Sequence, residues 1–367
     1  MDLWGRTFTR RELEGYTGDL RQIADIRLAT LDDGAERGVR VADVRTGSGF
    51  DFTVLLDRAM DIGNAAYNGI PVAWHSGTGA AHPSRFEPRE RGWLRTFPGG
   101  LLTLCGLSHA GAANDDTIDP ENGERLNLHG RISHMPAHDV RIERVWTDDE
   151  HWVLRLHGVV DEASLFSYRL RLERTFEITP GVPHIVIQDR VRNMGGTPAP
   201  LMVLYHCNFG WPIVSPDSEL FTPAAKVTAR DATAETGIAT WNKMEAPQPG
   251  YAEQVFYHHI EPSDTPQIAA LLNRPLGLGV EMVLDTRTLT QLTEWKQMGY
   301  GDYVFGIEPG NCLPEGRIAA RENGRLRMLA PGETETFNLG FRMLTSRREV
   351  DAAREASKHR LLDGVDE

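Results

Sequence analysis

Tyr168-Arg169-Leu170-Arg171-Leu172 carries an apolar side chain at alternate positions. Successive side chains of a strand point to opposite faces, so this stretch reads as a half-buried strand with one wet face. Trp152-Val153-Leu154-Arg155-Leu156 and Phe337-Asn338-Leu339-Gly340-Phe341 repeat the pattern. From about residue 20 to 345 such runs are broken by Gly, Pro, Asn and Asp, the texture of antiparallel strands and turns. The expected fold is all-β, a large antiparallel sandwich. Helices are expected only at the ends. Thr9-Arg10-Arg11-Glu12 and Ser346-Arg347-Arg348-Glu349 have the spacing of a capping box, in which hydroxyl and carboxylate satisfy the first turn reciprocally. They predict a short helix before Gly15 and a C-terminal helix over about 347–359. No repeat, low-complexity tract or linker divides the chain, so 1–367 reads as one domain with a core over about 20–345.

Two of these strands carry a charge on the apolar face. Arg174 falls in phase with Leu172 and Phe176, and Asp189 with Ile187 and Val191. An unpaired buried charge is expensive, so the two are expected to pair across neighbouring strands as a structural element.

The balance of charge narrows the partners. A net charge of -13 disfavours nucleic acid or an anionic membrane surface. No apolar run is long enough to span a bilayer, and the N-terminal stretch has no apolar signal region. The three cysteines show no C-x-x-C spacing, which fits reduced thiols in a cytoplasmic protein.

Chemistry is concentrated in a few stretches. In Val203-Leu204-Tyr205-His206-Cys207-Asn208-Phe209-Gly210-Trp211-Pro212 an apolar run delivers His206 and Asn208 on one face, just before a turn. Imidazole titrates near neutral pH, which suits proton transfer, although a core histidine bonded to a carbonyl fits the same pattern. Leu126-Asn127-Leu128-His129-Gly130-Arg131 offers a donor and a fixed cation beside a glycine that allows close backbone approach. In Gly306-Ile307-Glu308-Pro309-Gly310-Asn311, Glu308 ends an apolar run and can face a cleft, although taken alone the pattern fits a solvated turn residue slightly better; Pro309 and Gly310 are expected to stop the strand. The paired glycines and flanking aromatics of Trp93 to Leu107 fit a pocket floor or a tight bend. Trp295-Lys296 supplies a ring surface suited to a sugar, or a core tryptophan.

As a set, these stretches resemble the galactose mutarotase-like (aldose 1-epimerase) proteins. Asp57-Arg58-Ala59-Met60-Asp61-Ile62, Gly99-Gly100-Leu101-Leu102-Thr103-Leu104-Cys105-Gly106-Leu107, Leu128-His129-Gly130-Arg131 and Ile307-Glu308-Pro309 look most like the DUF4432 branch of that superfamily. The resemblance covers about residues 20–345. It implies a galactose mutarotase-like β-supersandwich with a sugar cleft, Glu308 as general base, His206 as general acid and His129 as a further sugar contact. Asn208, Trp295 and Lys296 are added as substrate contacts. Arg131 stands where the mutarotases usually have a second glycine. The family's arginine in an Asn-Arg-Ile context has no counterpart, so Arg58 or Arg131 is expected to replace it. An added cation at Arg131 hints at a sugar acid.

The implied activity is anomer interconversion by acid/base ring opening of a small carbohydrate, with no cofactor or metal. Two alternatives remain at this stage: an isomerase or lyase that removes a carbon-bound proton from a keto sugar, and a non-catalytic carbohydrate-binding protein. The eight most notable histidines, His75 to His259, contain no His-x-x-x-His pair on a clear helix, so a metal site is not expected. Exposed strand edges could support a homodimer, and nothing in the sequence selects one.

Overall fold

Among the described residues, alternation becomes three large antiparallel sheets, with three two-stranded ones beside them. The computed structural model describes residues 1–116 and 124–363. The largest sheet orders eight strands: His138–Trp146, Trp152–Ala163, Arg169–Ile178, His184–Asn193, Thr334–Leu344, Leu278–Leu284, Gln267–Asn273 and Ser218–Phe221. A six-stranded sheet runs Lys226–Ala229, Gln254–His259, Gln291–Met298, Tyr303–Gly310, Leu204–Phe209 and Thr103–Cys105. Five strands between Asp25 and Pro71 make the third.

Burial follows the sequence period. In Arg169–Ile178, residues Leu170, Leu172, Arg174, Phe176 and Ile178 are buried and their neighbours are more exposed. Side chains from all three sheets, among them Phe52, Phe176, Ile187, Tyr205 and Phe305, meet in one contiguous core. The fold is therefore the layered all-β architecture that the alternation implies.

The two in-phase charges do pair. Arg174 and Asp189 are register partners on adjacent strands, with Nε to Oδ1 at 2.8 Å and Nη2 to Oδ2 at 2.6 Å. The Tyr205 hydroxyl donates to the same carboxylate at 2.7 Å, which ties the pair to the strand carrying His206. Arg174 Nη1 reaches the carbonyls of Ala59 and Met60 at 3.1 and 3.3 Å. Those two residues have φ of +52° and +58°, a left-handed turn that side chains disfavour. A buried guanidinium bonding both carbonyls holds that turn, which accounts for an arginine on an apolar strand face.

Both capping signals are used. Thr9 and Glu12 form a complete capping box at the start of Arg10–Tyr16, and that helix runs through Gly15 instead of ending before it. At the other end Glu349 N–H donates to Ser346 Oγ, while the Glu349 carboxylate accepts from Thr345 N–H at 2.9 Å. The helix spans Arg347–Asp363, one turn beyond the expected end. Its Val350 and Ala353 pack on Leu272 and Leu344. Among the described residues no helix is long and apolar enough to cross a membrane.

Candidate functional site

Leu204–Phe209 lies inside the six-stranded sheet, bonded to Tyr303–Gly310 on one side and Thr103–Cys105 on the other. Every residue of it is buried, which explains a run without polar alternation. Its partner strand includes Pro309 and ends at Gly310, so the stop falls at the second of the two residues expected to cause it. The register pairs Leu204 with Gly310 and Cys207 with Ile307, which sets His206 directly across from Glu308. Two residues distant in sequence become cross-strand neighbours on one face.

His206 Nε2 and Glu308 Oε1 stand 3.2 Å apart, both almost wholly buried. No hydrogen bond closes between them, and Glu308 Oε1 has no protein partner. A buried carboxylate oxygen without a protein partner is an exception in folded proteins, and this one stands beside an imidazole nitrogen. On its far side His206 Nδ1 lies 2.6 Å from Asn208 Oδ1.

Aromatic rings wall this space. The His206 ring lies 5.1 Å from Phe97, 5.3 Å from Trp295 and 5.7 Å from His129, and Trp93 stacks on Phe97 at 4.3 Å. Trp74 meets Trp295 edge-on at 6.2 Å. Gly99 and Gly100 (φ +72° and +79°) let this wall close. A Cβ on Gly99 would stand 2.6 Å from the Trp74 ring, and one on Gly100 2.4 Å from the Ile62 carbonyl. The glycine-aromatic stretch thus packs its rings around His206. On the rim, Glu253 accepts from Trp295 Nε1 at 2.8 Å and pairs with Arg230 at 3.3 Å.

Dry surroundings invert the usual protonation. Burial pushes the Glu308 carboxyl up to about 8, with Glu253 adding to the rise and Arg230 opposing it. Burial pushes His206 down to about 4, partly offset by its bond to Asn208. His129 is driven well below its ordinary range by burial and then by the two histidines beside it, His206 and His109. Near neutral pH the resting pair is therefore a carboxylic acid beside a neutral imidazole.

The structure brings His206, Glu308, His129, Asn208 and Trp295 together and sets the other expected residues apart. Lys296 follows Trp295 on the same strand, so it faces the opposite side of the sheet. There it donates to Thr240 O at 3.1 Å and Glu245 Oε1 at 3.0 Å, away from the cleft. Arg58 is wholly buried, with Nη1 donating to the Ala81 carbonyl and Nη2 to the Thr96 carbonyl, both at 2.8 Å. It anchors the segment bearing Trp93 and Phe97 through the Thr96 carbonyl. Asn208 is also wholly buried, with its polar atoms taken up by His206 and two carbonyls. It lies behind the imidazole, on the Nδ1 side. Arg131 is exposed beyond the His129-Gly130 turn, at the start of the single 3₁₀ turn Ile132–His134. Among the described residues no group of three or more His, Cys, Asp or Glu side chains could hold a metal ion.

Trp74, Glu253 and Arg230 were not singled out from the sequence. Each stands in a local context without a catalytic pattern, and only tertiary packing brings it to the cleft.

Similarity to known proteins agrees with this architecture. A crystal structure from Klebsiella pneumoniae subsp. pneumoniae, provisionally named an aldose 1-epimerase, superposes with a TM-score of 0.86 at 23% identity, over 96% of this chain and 91% of that one. A galactose mutarotase-like protein from Clostridium acetobutylicum gives 0.61 at 13% identity, over 88% and 99%. Galactose 1-epimerase from Lactobacillus acidophilus gives 0.54 at 12% identity, over 87% and 98%. The fold is thus the galactose mutarotase-like β-sandwich. No protein of curated function matches the sequence. The profile of a domain of unknown function, DUF4432, matches residues 36–343, and the chain belongs to that family.

Proposed function

We propose that this protein is a carbohydrate mutarotase of the aldose 1-epimerase type, with Glu308 and His206 as its acid/base pair. The observation that carries this reading is the 3.2 Å approach of Nε2 to Oε1 without a hydrogen bond, in an aromatic cleft. Anomer exchange needs one group to take the proton of the anomeric hydroxyl and another to give one to the ring oxygen. The C1–O bond of the ring breaks as the C1 carbonyl forms, rotation about C1–C2 follows, and reclosure yields the other anomer. The bonds broken and formed lie within the sugar with no net oxidation, and the protein supplies only proton transfers, so the chemistry requires no redox group or metal. Glu308 as base and His206 as acid carry the same proton count as the resting neutral pair, so the sugar needs only to select between two arrangements of one proton. The aromatic wall suits the apolar faces of a sugar ring. Three buried, unpaired cysteines support a cytoplasmic setting.

Anomer exchange followed by NMR across aldoses, ketoses and uronic acids tests the proposal, since only a rate above spontaneous mutarotation counts. Its pH dependence is specified by the pair. Below about 4 His206 gains a proton while Glu308 keeps its own, and no base remains. Above about 8 Glu308 loses its proton beside a neutral imidazole, and no acid remains. The expected kcat/KM profile is a bell with limbs near these values. A catalysed rate that is flat from pH 6 to 10 contradicts it. Replacing Trp295 by alanine removes a ring from the wall, and KM is expected to rise about tenfold, a loss of about 1.4 kcal/mol, with kcat changed by less than about threefold. An unchanged KM would remove Trp295 from the binding surface.

A carboxylate held near 8 is also a stronger base than an ordinary one, which favours a second reading, removal of a carbon-bound proton from a keto sugar. Deuterium from solvent on a product carbon identifies that chemistry, because ring opening exchanges hydroxyl protons only.

A further inference from the structure

His206 has two ring nitrogens, and which one carries hydrogen decides what the cleft receives. Asn208 touches Nδ1 through Oδ1 at 2.6 Å. The other end of the amide decides its orientation. Nδ2 donates to the Gly100 carbonyl at 3.1 Å and to the carbonyl of His206 itself at 2.8 Å. Carbonyls only accept, so a flipped amide would press its oxygen against two others inside a wholly buried site. The oxygen therefore faces the imidazole, and an amide oxygen can only accept. Nδ1 must supply the hydrogen.

We propose that Asn208 is a positioning residue that holds His206 in the Nδ1–H tautomer, so that Nε2 is the nitrogen that exchanges a proton with the ligand. Its use in catalysis rests on the mutarotase reading, whereas the tautomer is a property of the free protein. The other groups facing His206 leave Nδ1 to Asn208. Glu308 approaches Nε2 from the neighbouring strand. Thr103, the register partner on the other side, gives its hydroxyl to Gly99 O. His129 meets the ring edge to face, and Trp93, Phe97 and Trp295 present rings. A neutral amide fixes the tautomer without the negative charge that would favour an imidazolium. It thereby leaves Nε2 able both to take and to return a proton.

The test is ¹⁵N NMR of the full chain labelled at histidine, at pH 7 and without sugar, with the His206 signals assigned by their loss in His206→Gln. The expected result is a protonated, pyrrole-type Nδ1 and an unprotonated, pyridine-type Nε2. In Asn208→Leu the hydrogen is expected to move to Nε2 or to average between the nitrogens. The kcat for anomer exchange should fall about 10²-fold with KM nearly unchanged. Hydrogen on Nε2 in the wild type overturns the proposal, and needs no folded Asn208 variant. Persistence of the Nδ1–H tautomer in Asn208→Leu overturns the role of Asn208. The expected tautomers without anomer exchange in the wild type support this proposal and sink the mutarotase reading alone.

Discussion

Glu308→Gln is expected to lower catalysed anomer exchange by about 10³-fold, within the range that a positioned acid or base contributes. Glutamine keeps the size and the buried setting but can neither release nor take up a proton at this position. The variant should still bind sugar, because the aromatic wall and His129 remain. A retained rate above a tenth of wild type would show that Glu308 is not part of the proton path. The same substitution has a second, independent signature in stability. The Glu308 carboxyl is raised from an ordinary 4.5 to about 8 in the folded protein. The folded state thus holds this proton more tightly than the unfolded chain. Its favourable contribution is complete below 4.5 and is lost as pH rises through about 8. The loss is about 1.4 kcal/mol per pH unit across that window. Glu308→Gln removes this dependence, so the variant should be more stable than wild type at pH 9 and close to it at pH 4. Chemical denaturation at the two pH values separates a lost catalytic group from a damaged fold.

What the sequence made legible follows the reach of each signal. Alternation is local, and it located the strands and the in-phase charges Arg174 and Asp189. Capping is local too, and Thr9 and Ser346 start helices as their spacing predicts. The meeting of His206 with Glu308 depends on a ladder register between distant strands. No period encodes that, and only the family resemblance suggested it. Lys296 turns away from the cleft because adjacent residues of one strand face opposite sides, so a sheet that presents Trp295 there cannot present its neighbour. Alternation puts Asn208 on the face of His206, where the two side chains can meet, and the imidazole takes up the amide oxygen. The burial of Arg58 was not readable at all. It depends on the loop carbonyls of Ala81 and Thr96 folding over it.

Arg174→Met is expected to destabilise the protein by about 3–5 kcal/mol, the usual consequence of removing one partner of a buried ion pair. Methionine fills much of the space and replaces none of the donors. Asp189 then keeps only the Tyr205 hydroxyl among its present side-chain partners. Asp61, whose carboxyl burial already raises to about 7, loses the cation 3.4 Å away that opposes the rise. The left-handed carbonyls of Ala59 and Met60 lose their donor as well. Because the unpaired carboxylate is the main penalty, Arg174→Met combined with Asp189→Leu should be more stable than Arg174→Met alone. Urea denaturation of the two single variants, the double variant and wild type measures the coupling directly. A single-variant loss below about 1 kcal/mol would mean that the buried pair is not what holds these layers together. The coupling also bears on the site, since Tyr205 precedes His206 and bonds to Asp189 from the opposite face of that strand. Loosening the pair should lower kcat in proportion to the fraction of molecules with this strand displaced, while the tautomer of His206 in the remaining native molecules stays as Asn208 sets it.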